Sequence, residues 1–258
     1  MNRTFFRALA LALTLCCVGM NASAAPITGV TNISGSMNIG TAGSLYVDFF
    51  SGPIPCATPS LGVAGCFAVN ASSTGSFPAP GPAEGTIQDL QFPPLPVSGS
   101  ASLPAWITFI GGSNVIFDLT TLVPGGGVDC ATLTLAQLAA PNQSCTPHFG
   151  GVATAFTLTN DASATHVTIS FSVGVNGYIG TSATGSSAYS GLFTSQDSGD
   201  LATILSAMNT PAGIAPGGIS YSANFVPAPA PPVPEPASLV LFGSGLVGVA
   251  RLFRRKRK

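Results

Sequence analysis

No lysine or arginine stands between Ala8 and Ala250. All eight basic residues lie in the two ends: Arg3 and Arg7 at the start, then Arg251, Arg254, Arg255, Lys256, Arg257 and Lys258. The acidic residues fall between them, at Asp48, Glu84, Asp89, Asp118, Asp129, Asp161, Asp197, Asp200 and Glu235. A body of this kind folds without one Lys or Arg ion pair. Its β-sheet edges cannot be guarded by lysine, so Pro, Gly and Asp must guard them instead. The same gap excludes whole classes of function. The body cannot neutralise phosphates, so it is not a nucleic-acid binder. It has no guanidinium fork for carboxylate or phosphate ligands and no amine for a Schiff base.

Charged residues make up only 7% of the chain against 46% hydrophobic, where soluble domains carry about 25% charged residues. The 31 glycines and 22 prolines fall short of a disordered composition. The apolar content suffices for one sizeable core. It fits neither a coiled coil nor a multi-span membrane protein.

The basic ends read as addresses. Residues 1–24 have the layout of a secretory signal peptide: a basic start, an apolar run at 8–18 (ALALALTLCCV) and an A-x-A site at Ala22-Ser23-Ala24. The run is too short to span a bilayer. Signal peptidase and the secretion machinery are the implied partners. At the other end, residues 227–236 (PAPAPPVPEP) form a proline-rich, extended spacer. Residues 238–250 (SLVLFGSGLVGVA) follow as a short apolar helix, and a basic tail closes the chain. A 13-residue helix covers about 20 Å at 1.5 Å per residue, marginal for a hydrocarbon core of about 30 Å. Snorkelling of Arg251 extends its reach. The positive-inside rule puts the tail in the cytoplasm and the body outside.

This tripartite end resembles the PEP-CTERM sorting signal of Gram-negative bacteria. The residues that carry the resemblance are Val233, Pro234, Glu235, Pro236, Ala237 and Ser238, then the apolar segment with Leu239, Val240, Leu241, Phe242, Leu246 and Val247, then Arg251, Arg254, Arg255, Lys256, Arg257 and Lys258. The resemblance implies recognition by an exosortase, with processing near Pro234-Glu235-Pro236. It also implies transient residence in the inner membrane before delivery to the cell surface or beyond, and a producer that makes exopolysaccharide or a biofilm matrix. It divides the chain into a signal peptide (1–24), an exported β-rich domain (25–226), a proline-rich linker (227–232) and the sorting signal (233–258). Gly243, Gly245 and Gly248 fit G-x-G-x-x-G, but no strand precedes them and no acidic residue follows at the required distance. Small residues for close helix contact are the better reading.

The body reads as all-β. Val167, Ile169, Phe171, Val173 and Val175 alternate strictly with polar or small residues, the mark of a half-buried strand. Similar runs occur at 44–50, 153–159 and 219–226. Residues 106–110 and 115–119 flank a Gly-Gly-Ser-Asn turn and predict a hairpin. Residues 132–138 are ambiguous between strand and helix. One helix is predicted at 201–208, capped by Asp200 and stopped by Pro211 and Gly213. Residues 72–96, rich in Pro, Gly and Ser, predict a long irregular loop. The expected architecture is an antiparallel β-sandwich or jelly-roll-like body with one short covering helix, plus the C-terminal membrane helix.

Four cysteines remain after signal removal, and export favours disulfides. Local pairing, Cys56 with Cys66 and Cys130 with Cys145, closes the shortest loops and is the expected arrangement. The spacings do not suit zinc.

No catalytic constellation emerges. No serine has the nucleophile-elbow frame. His148 is expected in a loop and His166 on the polar face of its strand. Asp48, Asp118 and Asp129 are the carboxylates that glycoside hydrolysis would draw on, but nothing in the sequence brings two of them together. No cofactor is expected; a structural Ca²⁺ is the one ion the hard carboxylate oxygens would suit. Asp197-Ser198-Gly199-Asp200 is the nearest acidic cluster, and helix capping explains it more simply. Trp106, Tyr46, Tyr178, Tyr189 and Tyr221 are the amphipathic aromatics that could form a sugar platform, though aromatics on strands more often pack into cores. The reading is an exported, non-enzymatic structural protein of the surface or extracellular matrix. A carbohydrate-binding module acting on exopolysaccharide is the alternative, and a secreted hydrolase using acidic residues comes after it.

Overall fold

The computed structural model describes residues 27–41, 43–50, 64–78, 81–110, 114–180 and 185–229. Residues 1–227 form one compact unit, and residues 228–258 a second. The strands of the first are β1 (Thr31–Thr41), β2 (Leu45–Phe50), β3 (Gly65–Val69), β4 (Gly81–Ile87), β5 (Leu90–Phe92), β6 (Gly99–Phe109), β7 (Val115–Val123) and β8 (Val128–Asp129). After a 3-10 turn at Cys130–Thr132 and helix α1 (Leu135–Leu138) come β9 (Ser144–Thr146), β10 (His148–Phe149), β11 (Val152–Ala153), β12 (Phe156–Asn160), β13 (His166–Ile179) and β14 (Ser187–Ser198). Helix α2 (Leu201–Met208) and β15 (Ile219–Pro227) complete it.

Eight strands hydrogen-bond in a closed antiparallel circuit: β14, β15, β1, β3, β4, β6, β7, β13 and back to β14. The expected β-sandwich or jelly-roll is corrected to this ring. The body is mostly β and, apart from the short parallel pair β8–β9, antiparallel as expected, but its main sheet closes on itself. Closure is the one device that removes edges altogether, and a body without lysine has the greatest need of it. Outside the circuit, β2 and β5 extend from the second half of β1. β12, β9 and β8 extend from the first half of β13.

The alternating run forms most of β13, with Val167, Ile169, Phe171, Val173 and Val175 all buried. The hairpin forms from β6 and β7, with Ile107 opposite Phe117. Helix α2 occupies the predicted residues. Asp200 Oδ1 accepts from Thr203 N at 2.9 Å, and Leu201, Ile204 and Met208 face the core. Residues 132–138 resolve into the end of the 3-10 turn and α1, whose capping box joins Thr134 and Gln137. Among the described residues, two short helices are therefore present where the body was expected to have one.

The stretch 72–96 is not one irregular loop, because β4 and β5 lie within it. Its glycines misled the reading. A Cβ on Gly85 would come within 2.3 Å of the Phe67 ring and 2.4 Å of Thr108 O. Glycine stands in this strand because two neighbours press against its backbone, not because the chain turns.

The core is a continuous run of aromatic rings. Phe171 stacks on Phe193 at 4.5 Å, and Phe193 meets Trp106, Phe49, Tyr221 and Phe225 at 5.6–5.9 Å. From Phe225 the contacts pass to Phe117 and Phe109, then to Phe67. Trp106 is fully buried, and its Nε1 donates to Gln88 O at 2.9 Å. It follows Ala105, which holds a φ of 48° where β6 slips register between Leu103 and Ile107. That conformation is unfavourable for alanine. It is anchored by Asp118 Oδ1, which accepts from Ala105 N at 2.7 Å, while Gln88 Nε2 donates to Ala105 O at 2.7 Å.

A disulfide joins Cys130 to Cys145, 15 residues apart. A loop of that size gains about 3 kcal/mol from the cross-link in the chain-entropy account. Cys66 is also disulfide-bonded; Cys56, its expected partner, lies outside the described residues.

Candidate functional site

The seven described aspartate side chains show what the carboxylates do. Six accept a backbone N–H: Asp89 from Phe49, Asp118 from Ala105, Asp129 from Ala131, Asp161 from Thr165, Asp197 from Ser198 and Asp200 from Thr203. With no Lys or Arg in the body, backbone amides take the place of cations. The bonds shift the acids accordingly. The Ser163 hydroxyl, together with the amides of Thr165, His166 and Ser163, lowers the Asp161 carboxyl to about 2. The Thr203 amide and hydroxyl lower Asp200.

Asp118, Asp129 and Asp48 stand on three different elements, each in its own setting. Asp118 serves the β6 bulge and accepts from Tyr178 Oη at 3.1 Å. Asp129 caps the 3-10 turn. Asp48 is on β2, opposite Asn38. No hydrogen bond or shared partner links any two of them among the described residues. Asp197 and Asp200 are spent on local amides, and no cluster of three or more metal-ligating side chains occurs among the described residues.

The histidines separate. His166 is exposed on the polar face of β13, and its Nδ1 lies 3.6 Å from Asp161 Oδ2. His148 is not in a plain loop. It begins the small β10–β11 hairpin, and its Nδ1 is 3.3 Å from Asp129 Oδ2. That pair borders a groove of about 360 Å³ with an apolar floor of Leu133, Leu138, Leu205 and Met208. The pair has an acid and a base, but no hydroxyl or thiol is hydrogen-bonded to the imidazole, so it lacks the nucleophile of a triad.

The five amphipathic aromatics do not line up as an exposed platform. Trp106, Tyr189, Tyr221 and Tyr46 are buried at 0–5% exposure. Only Tyr178 is partly exposed, and its hydroxyl is bound to Asp118. These rings build the interior instead.

One carboxylate has no structural task. Asp48 is 7% exposed, and its Oδ1 has no hydrogen-bond partner. It shares a β2 face with Tyr46, whose hydroxyl donates to Pro211 O at 3.0 Å. Across the strand pair, Asn38 donates to Ala212 O and accepts from Ala215 N. The segment after α2 thus lies over this polar face, and both faces of β2 are buried. Sequence reasoning missed this. Its only signal was Tyr46 and Asp48 alternating with Leu45, Val47 and Phe49, which reads equally well as a solvent face.

Burial raises the Asp48 carboxyl above its ordinary value. In the window between the two values the unfolded chain binds fewer protons than the folded one. Stability therefore falls as pH rises through that window and stays lower above it. Asp48→Asn is expected to stabilise the protein at neutral pH by about 1 kcal/mol, since it removes a desolvated charge that no partner compensates. Thermal melts across pH check this. The gain should disappear in acid, where Asp48 is protonated in both states, and a gain independent of pH would assign it to another cause.

The predicted address regions, residues 1–24 and 233–258, lie outside the described residues, as does the apolar segment 238–250. No helix among the described residues is long and apolar enough to cross a membrane. Residues 232–258 match the model of the PEP-CTERM protein-sorting motif. No curated protein and no solved structure matches the chain. The sorting motif marks an exported protein that is handled through its C-terminal signal and processed by an exosortase.

Proposed function

We propose that this exported chain is a non-enzymatic structural protein of the cell surface or extracellular matrix. The apolar segment 239–250 holds it in the inner membrane, with the basic tail in the cytoplasm. Exosortase processing near Pro234-Glu235-Pro236 then frees the body for delivery. One observation supports the non-enzymatic reading above all: six of seven described aspartates are bound to backbone amides that the fold needs. Groups so engaged maintain turns, caps and bulges, a structural task for each. The closed ring and the Cys130–Cys145 link suit a body that must persist outside the cell without chaperones.

Fractionation of producing cells tests this. The mature chain, lacking residues 1–24 and the basic tail by mass spectrometry, is expected in the surface or matrix fraction. A deletion strain is expected to make a less cohesive matrix. An intact chain in the cytosol, or a matrix unaltered by its loss, would refute the proposal.

A further inference from the structure

The outward face of β1, β15, β14, β13 and β12 carries hydroxyl groups in register. In one row Ser34 stands opposite Ser222, Ser222 opposite Thr194, Thr194 opposite Ser170, and Ser170 opposite Thr157. Each of five adjacent strands contributes one hydroxyl, spaced by the interstrand distance of about 4.8 Å. Two residues along each strand, a parallel row holds Ser144, Thr159, Thr168 and Gln196 across β9, β12, β13 and β14. Ser220 and Ser36 continue it on β15 and β1. Neither row contains a charged residue.

The groups are tied sideways. Thr194 Oγ1 lies 3.2 Å from Ser222 Oγ, Gln196 Nε2 donates to Thr168 Oγ1 at 3.3 Å, and Thr159 Oγ1 donates to Ser144 Oγ at 3.0 Å. Such bonds fix the side chains before any partner arrives, which lowers the ordering cost of binding. Two further features point to a ligand. Thr168, Thr194, Gln196, Ser220 and Ser222 border a shallow depression of about 590 Å³. Leu192 on β14, two residues from Thr194, and Val226 on β15, four residues beyond Ser222, point outward at 47% and 40% exposure.

The chemistry of this face selects among partners. Nucleic acid and anionic lipid need cations, which are missing. A protein partner is ordinarily held by aromatic and Arg anchors, also missing. What remains is a hydrated, uncharged polyol. Its hydroxyls exchange with Ser, Thr and Gln groups that both donate and accept, and its C–H faces rest on Leu192 and Val226.

We infer that this face binds neutral polysaccharide chains by a hydroxyl lattice, without aromatic stacking. The inference rests on the proposed surface or matrix role and adds the partner and its contact surface. The test uses purified full-length protein in detergent, so a failure of the sorting reading does not affect it. Co-sedimentation with microcrystalline cellulose and retardation in dextran-containing gels are the assays, with alginate as an anionic control. The wild type is expected to bind cellulose or dextran, independently of salt, and not alginate. The double variant Thr194→Glu, Ser222→Glu should lose binding by about tenfold or more, equivalent to 1.4 kcal/mol, with its circular dichroism unchanged. Leu135→Glu, on an exposed position of α1 away from the face, should bind normally. A milder pair, Thr194→Val with Ser170→Val, should weaken binding if the glutamates disturb folding. Binding to neither neutral polymer, preference for alginate, or unaltered binding in both face variants would overturn the inference.

Discussion

Replacing Glu235 by alanine is expected to leave most of the chain in the inner membrane, with its apolar segment and basic tail still attached. The wild type should appear chiefly in mature form. Each proline beside Glu235 fixes its own φ near −65° and offers no N–H, and Glu235 is the single carboxylate between them. That carboxylate is the one ionised group between Asp200 and Arg251, and so the distinctive feature a membrane protease could read there. Pulse-labelling, fractionation and intact-mass measurement follow the outcome. A fall of about tenfold or more in the mature fraction is expected; each tenfold corresponds to about 1.4 kcal/mol of lost recognition. Release of the variant at the normal rate and mass would remove Glu235 from the processing step.

Trp106→Ala is expected to have the largest effect on stability. Removing a fully buried tryptophan costs about 3–5 kcal/mol, out of a total stability of about 5–15 kcal/mol. The ring lies against Phe49 and Phe193 at 6.4 and 5.7 Å, and its loss also leaves Gln88 O without its donor. Trp106→Phe retains most of the ring contacts and forfeits the hydrogen bond, so its cost should be nearer 1–2 kcal/mol. Urea unfolding followed by far-UV circular dichroism gives the comparison, because Trp106 is the only tryptophan and its fluorescence is lost in both variants. A cost under about 1 kcal/mol for the alanine variant would mean that the aromatic run does not hold the ring together.

Much of this fold was legible where the governing forces are local. The alternation at 167–175 is set by one strand having a wet and a dry face. Asp200 caps α2 by bonding an amide three residues away. Cys130 and Cys145 close a short loop. The ring itself was not legible, because it depends on pairings such as Thr31 with Phe225, which no local pattern encodes. β4 was hidden because glycine serves two purposes, turning and close approach, and the sequence does not distinguish them. The candidate sites divide in the same way. Thr168, Ser170 and Ser172 at alternate positions of β13 could be seen, but Ser34, Ser222, Thr194, Ser170 and Thr157 form a row only once register across five strands is known. The burial of Asp48 depends on a covering segment more than 160 positions later, at Pro211 and Ala212.

The first strand of the ring is completed by the last. β1 pairs with β15 along Thr31–Met37, and β15 ends at Pro227, just before the proline-rich linker. During threaded, N-terminus-first translocation the leading strand must therefore wait for the trailing one. Until residue 227 has crossed, β1 and β14 both present bare, hydrogen-bond-hungry margins, and such long-range closure is intrinsically slow. A stop codon between β14 and β15 would leave the other seven ring strands without their closing partner, an open sheet with bare edges. If the apolar segment downstream holds the chain at the bilayer, as proposed, the nascent polypeptide has a pause in which the circle can shut before the cargo is cut loose.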